Sequence, residues 1–491
     1  MFSMKRYLEI GLVVFTMGII GMCSSQTMIE DSADMKKQID QAIRNGEYTA
    51  ASEMIAQYMR GGALSEQDRK AYAFEKERLS RVRADFTAKP EDVLGYIKKY
   101  YPDVTGEDIA RWEAEKSLEY KIIDGKKLYF AIAARNLFRI NADMKNVWIA
   151  QHPEDEITSG SGAKLDLDVH NAQIIKAAND LPEMFVEPRR LCITQSLEVL
   201  ADEVPAGEMV KCWIPYPRHI EGRQENIDLI QTLPAQHHLA SPDALQRTIY
   251  MEKPAIAGEP TIFSVQYEFT SHGVFQAIDA NLVTPVKNEE SLLPFLKEEA
   301  PHIIFTDDLK ALSTEIVGDE KNPYRIAQLL FAWVDNNTPW ASAREYSSIP
   351  CIPEYALENH HGDCGIQGLF FITLCRINGI PARWQSGWEL QPPDDSMHDW
   401  GMIYFEPYGW VPMDVTYGLR KSSDPQLHWF YLSGMDSYRI IFNDDISQTF
   451  TPPKHHFRSE TVDSQRGEVE WSGGNLYFDK WDWSFEWKVL D

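Results

Sequence analysis

From residue 31 to about 115, apolar positions recur three and four apart, with few Pro or Gly to interrupt them. That period predicts a series of amphipathic helices. One of them opens at "TGEDIARWEAE", where Thr105 is placed to cap and acids fill the first turn. In "SLEYKIIDGKKLYF" the pattern shortens to alternation on both sides of Asp124-Gly125, a dipeptide that tolerates the positive φ values of a tight turn, so a hairpin is expected. Between about 188 and 290 short alternating runs ("CITQSLEVL", "EMVKCWIPYP", "RTIYMEK", "TIFSVQYEF") are separated by Pro, Gly and Asp, which predicts an antiparallel β-sandwich. Helical spacing returns at about 301 in "DDLKALSTEIVG" and "NPYRIAQLLFAWVDNN", and a mixed domain is expected to run to about 450. In the tail, Trp481, Trp483, Phe485 and Trp487 share a parity and therefore one face of a strand, following a hairpin at Gly473-Gly474. The expected fold is multidomain α+β. It comprises a helical module with a hairpin (31–150), a β-sandwich (188–290), an α+β domain (301–450) and a Trp-rich β extension (451–491).

A chain of 491 residues is long enough for several such cores. Its net charge of −26 opposes phosphate polyanions and makes nucleic acid an unsuitable partner. At the N-terminus Lys5 and Arg6 precede an uncharged stretch from Ile10 to Met22, the layout of a signal peptide. As a helix that stretch would extend about 20 Å, short of a ~30 Å hydrocarbon core. The run "IIGMC" resembles a bacterial lipobox ending at Cys23, although Met22 stands where that pattern has a small residue. The expectation is a chain exported through residues 1–23 and held to a membrane by a lipid on Cys23. Among the other cysteines, Cys192 and Cys212 flank a hairpin and are in position to pair. A large core does not need covalent staples, and free buried thiols are the default.

"ENHHGDCGIQGLF" raises a sharper question, because Cys364 sits between two glycines just ahead of an apolar run. It can be a nucleophile, a ligand beside His360 and His361, or a core thiol. Ile366, Leu369, Phe370, Leu374 and Ile377 recur at helical spacing and Gly379 suits a helix end, so Cys364 falls at a helix start. Backbone N–H groups there favour an anion, and helix tips can lower a thiol pKa to about 3.5–7.5. Adjacent histidines rarely face one metal, and "NDD" at 443–445 lacks spaced oxygen ligands, so no metal or cofactor is expected. A nucleophilic thiol needs a base and an orienter. "MHDWGMIYFEPYGWVPMDVTYG" offers His398 and Asp414 on two strand-like runs. A loop centred on Pro407 would set Trp400 opposite Asp414 and place His398 on the diagonal, so an odd-length loop is expected.

Taken in order, "GDCG", "LFFITLCRINGIPAR", "HDW" and "GWVPMDVTYG" resemble the transglutaminase-like superfamily, whose core is papain-like, across about 301–420. The resemblance implies Cys364 as nucleophile, His398 as general base and Asp414 as its orienter. It also implies an aromatic donor to the oxyanion upstream of the cysteine, for which Trp340 is the candidate. The implied chemistry is attack on an amide carbonyl of a peptide or protein substrate, giving a thioester. Water would then make the chain a thiol hydrolase, and an amine acceptor would make it a transglutaminase. A surface binding protein with a non-essential triad, or a deglycosylating amidase, would carry the same residues.

Overall fold

A computed structural model describes residues 34–61, 64–152, 165–181, 184–287 and 289–490. The expected leader at 1–23, with Cys23, lies outside these residues. The chain divides into two compact units, one made of residues up to Tyr96 with Glu119–Ala133, the other of Ile97–Leu118 and everything from Ala134 onward.

The first unit is helical, with helices over 34–44, Tyr48–Arg60, Glu66–Asp85 and the start of Pro90–Lys98. Its hairpin pairs Tyr120–Ile123 with Lys126–Tyr129, and Asp124 and Gly125 hold φ values of 49° and 76° at the turn. The Asp124 carboxylate accepts from the Thr49 amide at 3.0 Å and from Arg83 at 2.6 Å, which ties the turn to two of the helices.

In the larger unit, Gly106–Ala114 carries the expected capping box, Thr105 with Asp108. Two five-stranded antiparallel sheets follow. One centres on Phe185–Val199 and Thr261–Phe275; the other joins Met209–Pro215 to Thr248–Pro254. Leu191, Ile193, Cys212, Ile249, Phe263 and Val265 fill the space between them. The sandwich is completed from far along the chain. Trp481–Val489 pairs with Phe185–Val199, and Glu468–Trp471 pairs with Met209–Pro215. The Trp-rich tail is therefore part of both sheets rather than a separate extension. Its aromatic parity holds, with Phe485 stacked on Trp388 at 4.0 Å between ring centroids. Cys192 and Cys212 are both free thiols.

The remaining sheet has four strands in the order Gly409–Met413, Ser396–Phe405, Ala382–Glu389, Arg439–Asn443. The helix Cys364–Ile377 lies against it, buried continuously from Gly365 to Arg376 because nearly every residue is apolar or small. Asp307–Val317 and Pro323–Asn337 pack on the same core, the second entered through an Asn322 cap and a proline in its first turn. Gly379, at φ 70°, follows the Cys364 helix as expected.

Candidate active site

The side chain of Asp363 accepts from the Ile366 amide at 3.1 Å and starts the helix, so Cys364 is its first residue. Close approach explains the flanking glycines. A Cβ on Gly362 would stand 2.2 Å from Ile366, and one on Gly365 would stand 2.1 Å from the Tyr346 hydroxyl. Neither position has room for a side chain. The segment before the loop is tied to it by the Ala341 amide donating to the Gly362 carbonyl at 3.0 Å, which brings Trp340 beside Gly362. Trp340 is 42% exposed, and the Arg139 guanidinium lies 5.0 Å from its ring centre. Cys364, Trp340, Tyr346, Asp363, Asp399 and Asp463 line one cavity of about 270 Å³.

The hairpin has the expected register. Phe405 pairs with Gly409 around a three-residue loop and Gly401 with Met413, so Trp400 stands opposite Asp414. His398 donates from Nε2 to Asp414 Oδ2 at 2.8 Å. This pair does not meet the sulfur. Cys364 Sγ donates instead to Asp399 Oδ2 at 3.3 Å. Adjacent strand residues face opposite sides of a sheet. Asp399 shares its side with Gly401 and Ile403, and a Cβ on Gly401 would lie 3.3 Å from Ile372 of the Cys364 helix. His398 shares the other side with Trp400, their rings 5.9 Å apart. Of the triad the resemblance implies, His398 and Asp414 meet on one face as expected, while Cys364 meets Asp399 on the other. The turn parity brings His398 to Asp414, but the helix covers the reverse side of the strand.

The far side is a closed network. Asp414 Oδ2 also accepts from Arg439 at 2.7 Å, and Arg439 reaches Asp436 at 2.9 Å with the Tyr417 ring 4.7 Å away. Glu389 approaches the other nitrogen of His398 at 3.9 Å. Burial works against ionisation of Asp414, but His398 and Arg439 outweigh it and hold the carboxyl at about 2. Burial likewise opposes the imidazolium, and Asp414 with Glu389 wins, raising the His398 pKa. An ionised Asp414 can only accept, which places a proton on Nε2.

On the helix side the electrostatics run the other way. Burial raises the Cys364 thiol well above its usual range, and the carboxyls of Asp399 and Asp363 add to the rise, so the resting form is the thiol. Burial together with Asp463 and Asp363 raises Asp399 well above the normal carboxylate range. Tyr346 bridges Asp363 Oδ1 and Asp399 Oδ2, 2.9 Å from each, and Gln465 donates to Asp399 Oδ1 at 2.7 Å. At the cavity wall, Arg466 pairs with Glu345 at 2.5 Å. His360 ends the preceding helix in the left-handed region at φ 56°, whereas His361 is buried against Tyr355. Arg383 and Arg218 both pair with Asp444 of the "NDD" run.

Residues 310–415 match the sequence model of the transglutaminase-like superfamily. The chain carries a transglutaminase-like core. Among solved structures, a chain described as "a Putative Cysteine Protease from Cytophaga hutchinsonii" is 18% identical, with a TM-score of 0.41, covering 62% of this chain and 92% of that one. The periplasmic domain of TgpA from Pseudomonas aeruginosa is 13% identical, with a TM-score of 0.24, covering 53% of this chain and 95% of that one. A chain described as "a putative protease from Parabacteroides distasonis" is 10% identical, with a TM-score of 0.20, covering 52% and 68%. No curated protein matches. Among the described residues, no helix is long and apolar enough to cross a membrane.

The transglutaminase-like core holds Cys364, His398 and Asp414 within the matched segment. Asp399, Tyr346 and Asp463 were not singled out from sequence. Asp399 is the neighbour of the residue that was, Tyr346 lies in the segment just before the cysteine, and Asp463 lies far from it along the chain.

Proposed function

We propose that this chain is an exported cysteine hydrolase that cleaves peptide or side-chain amides through a thioester on Cys364. The observation that carries the reading is the Cys364 sulfur at the first residue of a buried helix, open to the cavity and 3.3 Å from a carboxyl. Where the Asp399 carboxyl, whose pKa is raised well above the usual range, is ionised, Sγ attacks the amide carbonyl, its proton passes to Asp399, and the carbonyl π pair moves to oxygen. Collapse of the adduct expels the amine, which takes the proton from Asp399. Water then cleaves the thioester by the same route. Donors for the oxyanion are the amides at the helix tip and, within the same cavity, the Trp340 indole. In this reading His398, Asp414 and Arg439 brace the sheet from behind. Export and a lipid on Cys23 rest on the charged start and apolar run of residues 1–23.

A peptide library incubated with the full chain and analysed by mass spectrometry tests this. A trapped acyl group on Cys364, absent in Cys364→Ala, is expected. Adding a glutamine peptide with a fluorescent amine separates hydrolysis from transfer, since label incorporation would make the chain a transglutaminase. One observation favours a second reading, a binding protein with an idle thiol: the carboxyls around Cys364 oppose the thiolate. Failure of every library peptide to acylate Cys364 would select it.

A further inference from the structure

Behind the four-stranded sheet, on the side away from the Cys364 helix, lies a second cavity of about 80 Å³. Its floor is one face of three neighbouring strands, since Arg383 pairs with Met402 and Met402 with Pro412, while Gln385 and Trp410 follow two residues along. Phe185, Val274 and Met435 close it from the sandwich side. Two arginines break this apolar lining. Arg383 is 20% exposed, and its guanidinium lies against the rings of Trp410 and Phe295, 4.6 and 5.6 Å from their centres. Stacking engages the faces of the plane and leaves the N–H groups at its edge. Among the described residues its Nε has no hydrogen-bond partner, and its contact with a carboxylate is a 3.4 Å approach of Nη2 to Asp444. Asp444 is already met by Arg218 and by Gln385 at 3.0 Å, and Asp445 answers first to Arg376. Arg223 is 6% exposed, and the Asp436 carboxylate near it is taken by Arg439 at 2.9 Å. Arg223 itself donates to the Ser271 hydroxyl and to the Asp436 carbonyl, each at 3.2 Å. Burial pushes it from 12.5 down to about 10, so it keeps its charge. A buried cation is costly without an opposite charge. Two of them lining one small cavity, each without a carboxylate of its own, point to an anion from outside the chain.

We propose that this cavity is a binding site for a small aliphatic monocarboxylate, its carboxylate held by Arg383 and Arg223 and its short hydrocarbon tail packed over Met402 and Trp410. The site goes beyond the hydrolase reading and does not depend on it. A guanidinium edge matches a carboxylate in shape, and the bonds are charge-assisted on both sides. The walls decide the rest of the ligand. A water needs about 10–15 Å³ of such space, so about 80 Å³ takes roughly five to eight non-hydrogen atoms, an acid of roughly three to six carbons. Inorganic phosphate or sulfate would meet the arginines but gain nothing from Phe185, Met402 and Met435. A long fatty acid would not fit.

Ligand-observed saturation-transfer NMR on the full chain tests this, with isovalerate as the probe. Isovalerate is expected to bind in the millimolar range, the scale open to so few atoms. Isovaleramide, its neutral isostere, should bind about tenfold or more weaker, for want of a charge-assisted hydrogen bond. Acetate keeps the charge but lacks the tail, and should also bind about tenfold or more weaker. Arg383→Gln should bring isovalerate down to the level of isovaleramide on the wild type. Met402→Trp fills the cavity with both arginines in place and should abolish binding. Cys364→Ala should bind as the wild type does, which separates this site from the Cys364 cavity. Comparing the acid with its amide uses the unaltered chain, so the proposal remains testable where a variant fails to fold. It is overturned by no isovalerate binding at tens of millimolar, by equal binding of isovalerate and isovaleramide, by undiminished binding in folded Arg383→Gln, or by loss of binding in Cys364→Ala.

Discussion

Replacing His398 with Gln separates a bracing ring from a catalytic one. The ring donates to Asp414 at 2.8 Å and is 4% exposed. A hydrogen bond to a charged group contributes about 1.5–3 kcal/mol. Stranding a buried charge costs more, about 3–5 kcal/mol. The smaller range applies here, because Asp414 keeps Arg439 at 2.7 Å and the Thr416 and Tyr417 amides at 3.2 and 3.3 Å. The expected loss is therefore about 1.5–3 kcal/mol. Its pH dependence follows from the raised His398 pKa. A group whose folded pKa is raised contributes stability that is full below its unfolded value of about 6.5 and is lost as pH rises through the folded value. Urea denaturation of the full chain should therefore show a wider gap between variant and wild type at pH 5.5 than at pH 9. Cys364 alkylation and peptide turnover should stay within a fewfold of wild type. A variant with unchanged denaturation and turnover reduced more than 100-fold would make His398 the base, and the bracing assignment would be wrong.

Two further perturbations address the helix tip. Gly365→Ala would put a methyl group 2.1 Å from the Tyr346 hydroxyl and 2.7 Å from Asp399 Oδ2, an overpacking that costs about 1–3 kcal/mol in a denaturation series. A full-strength variant would show that Tyr346 is not held where described. The second concerns pH. Burial, with Glu345 adding to it, raises Asp363 from 3.8 to about 6, and burial with Asp463 raises Glu460 from 4.5 to about 8. Raised carboxyls bind protons more tightly folded than unfolded, so their stability contribution is full below about 4 and is lost as pH climbs through about 6 and about 8. The melting temperature should fall between pH 5 and pH 8.5, and Glu460→Gln should flatten that fall; a melting temperature that rises over this range contradicts the assignment.

Local signals served the sequence reading well. Asp124-Gly125, the Thr105 cap and the start of the Cys364 helix each rest on a few neighbouring residues whose backbone preferences agree with the fold. The odd loop at Pro407 was also legible, because parity alone links Trp400 to Asp414. Sandwich closure was not. Trp481–Val489 pairs with a strand nearly three hundred residues earlier, and nothing in either stretch names the other.

The site turned on a question that hairpin parity cannot answer: which side of the sheet the Cys364 helix covers. A half-exposed strand would have shown its inner face by alternation. In "HDWGMIYF" His398 through Gly401 are all buried and Met402 through Phe405 are all apolar in sequence, although Met402 and Tyr404 are only half-buried, and the helix is buried around its whole circumference. With both patterns mute, the choice falls to packing detail such as Gly401, whose missing side chain lets Ile372 approach that side. The consequence is chemical. A shift of one residue along a strand exchanges an imidazole for a carboxyl at the sulfur. In the proposed hydrolase, the thiol proton of Cys364 therefore faces a carboxyl rather than an imidazole.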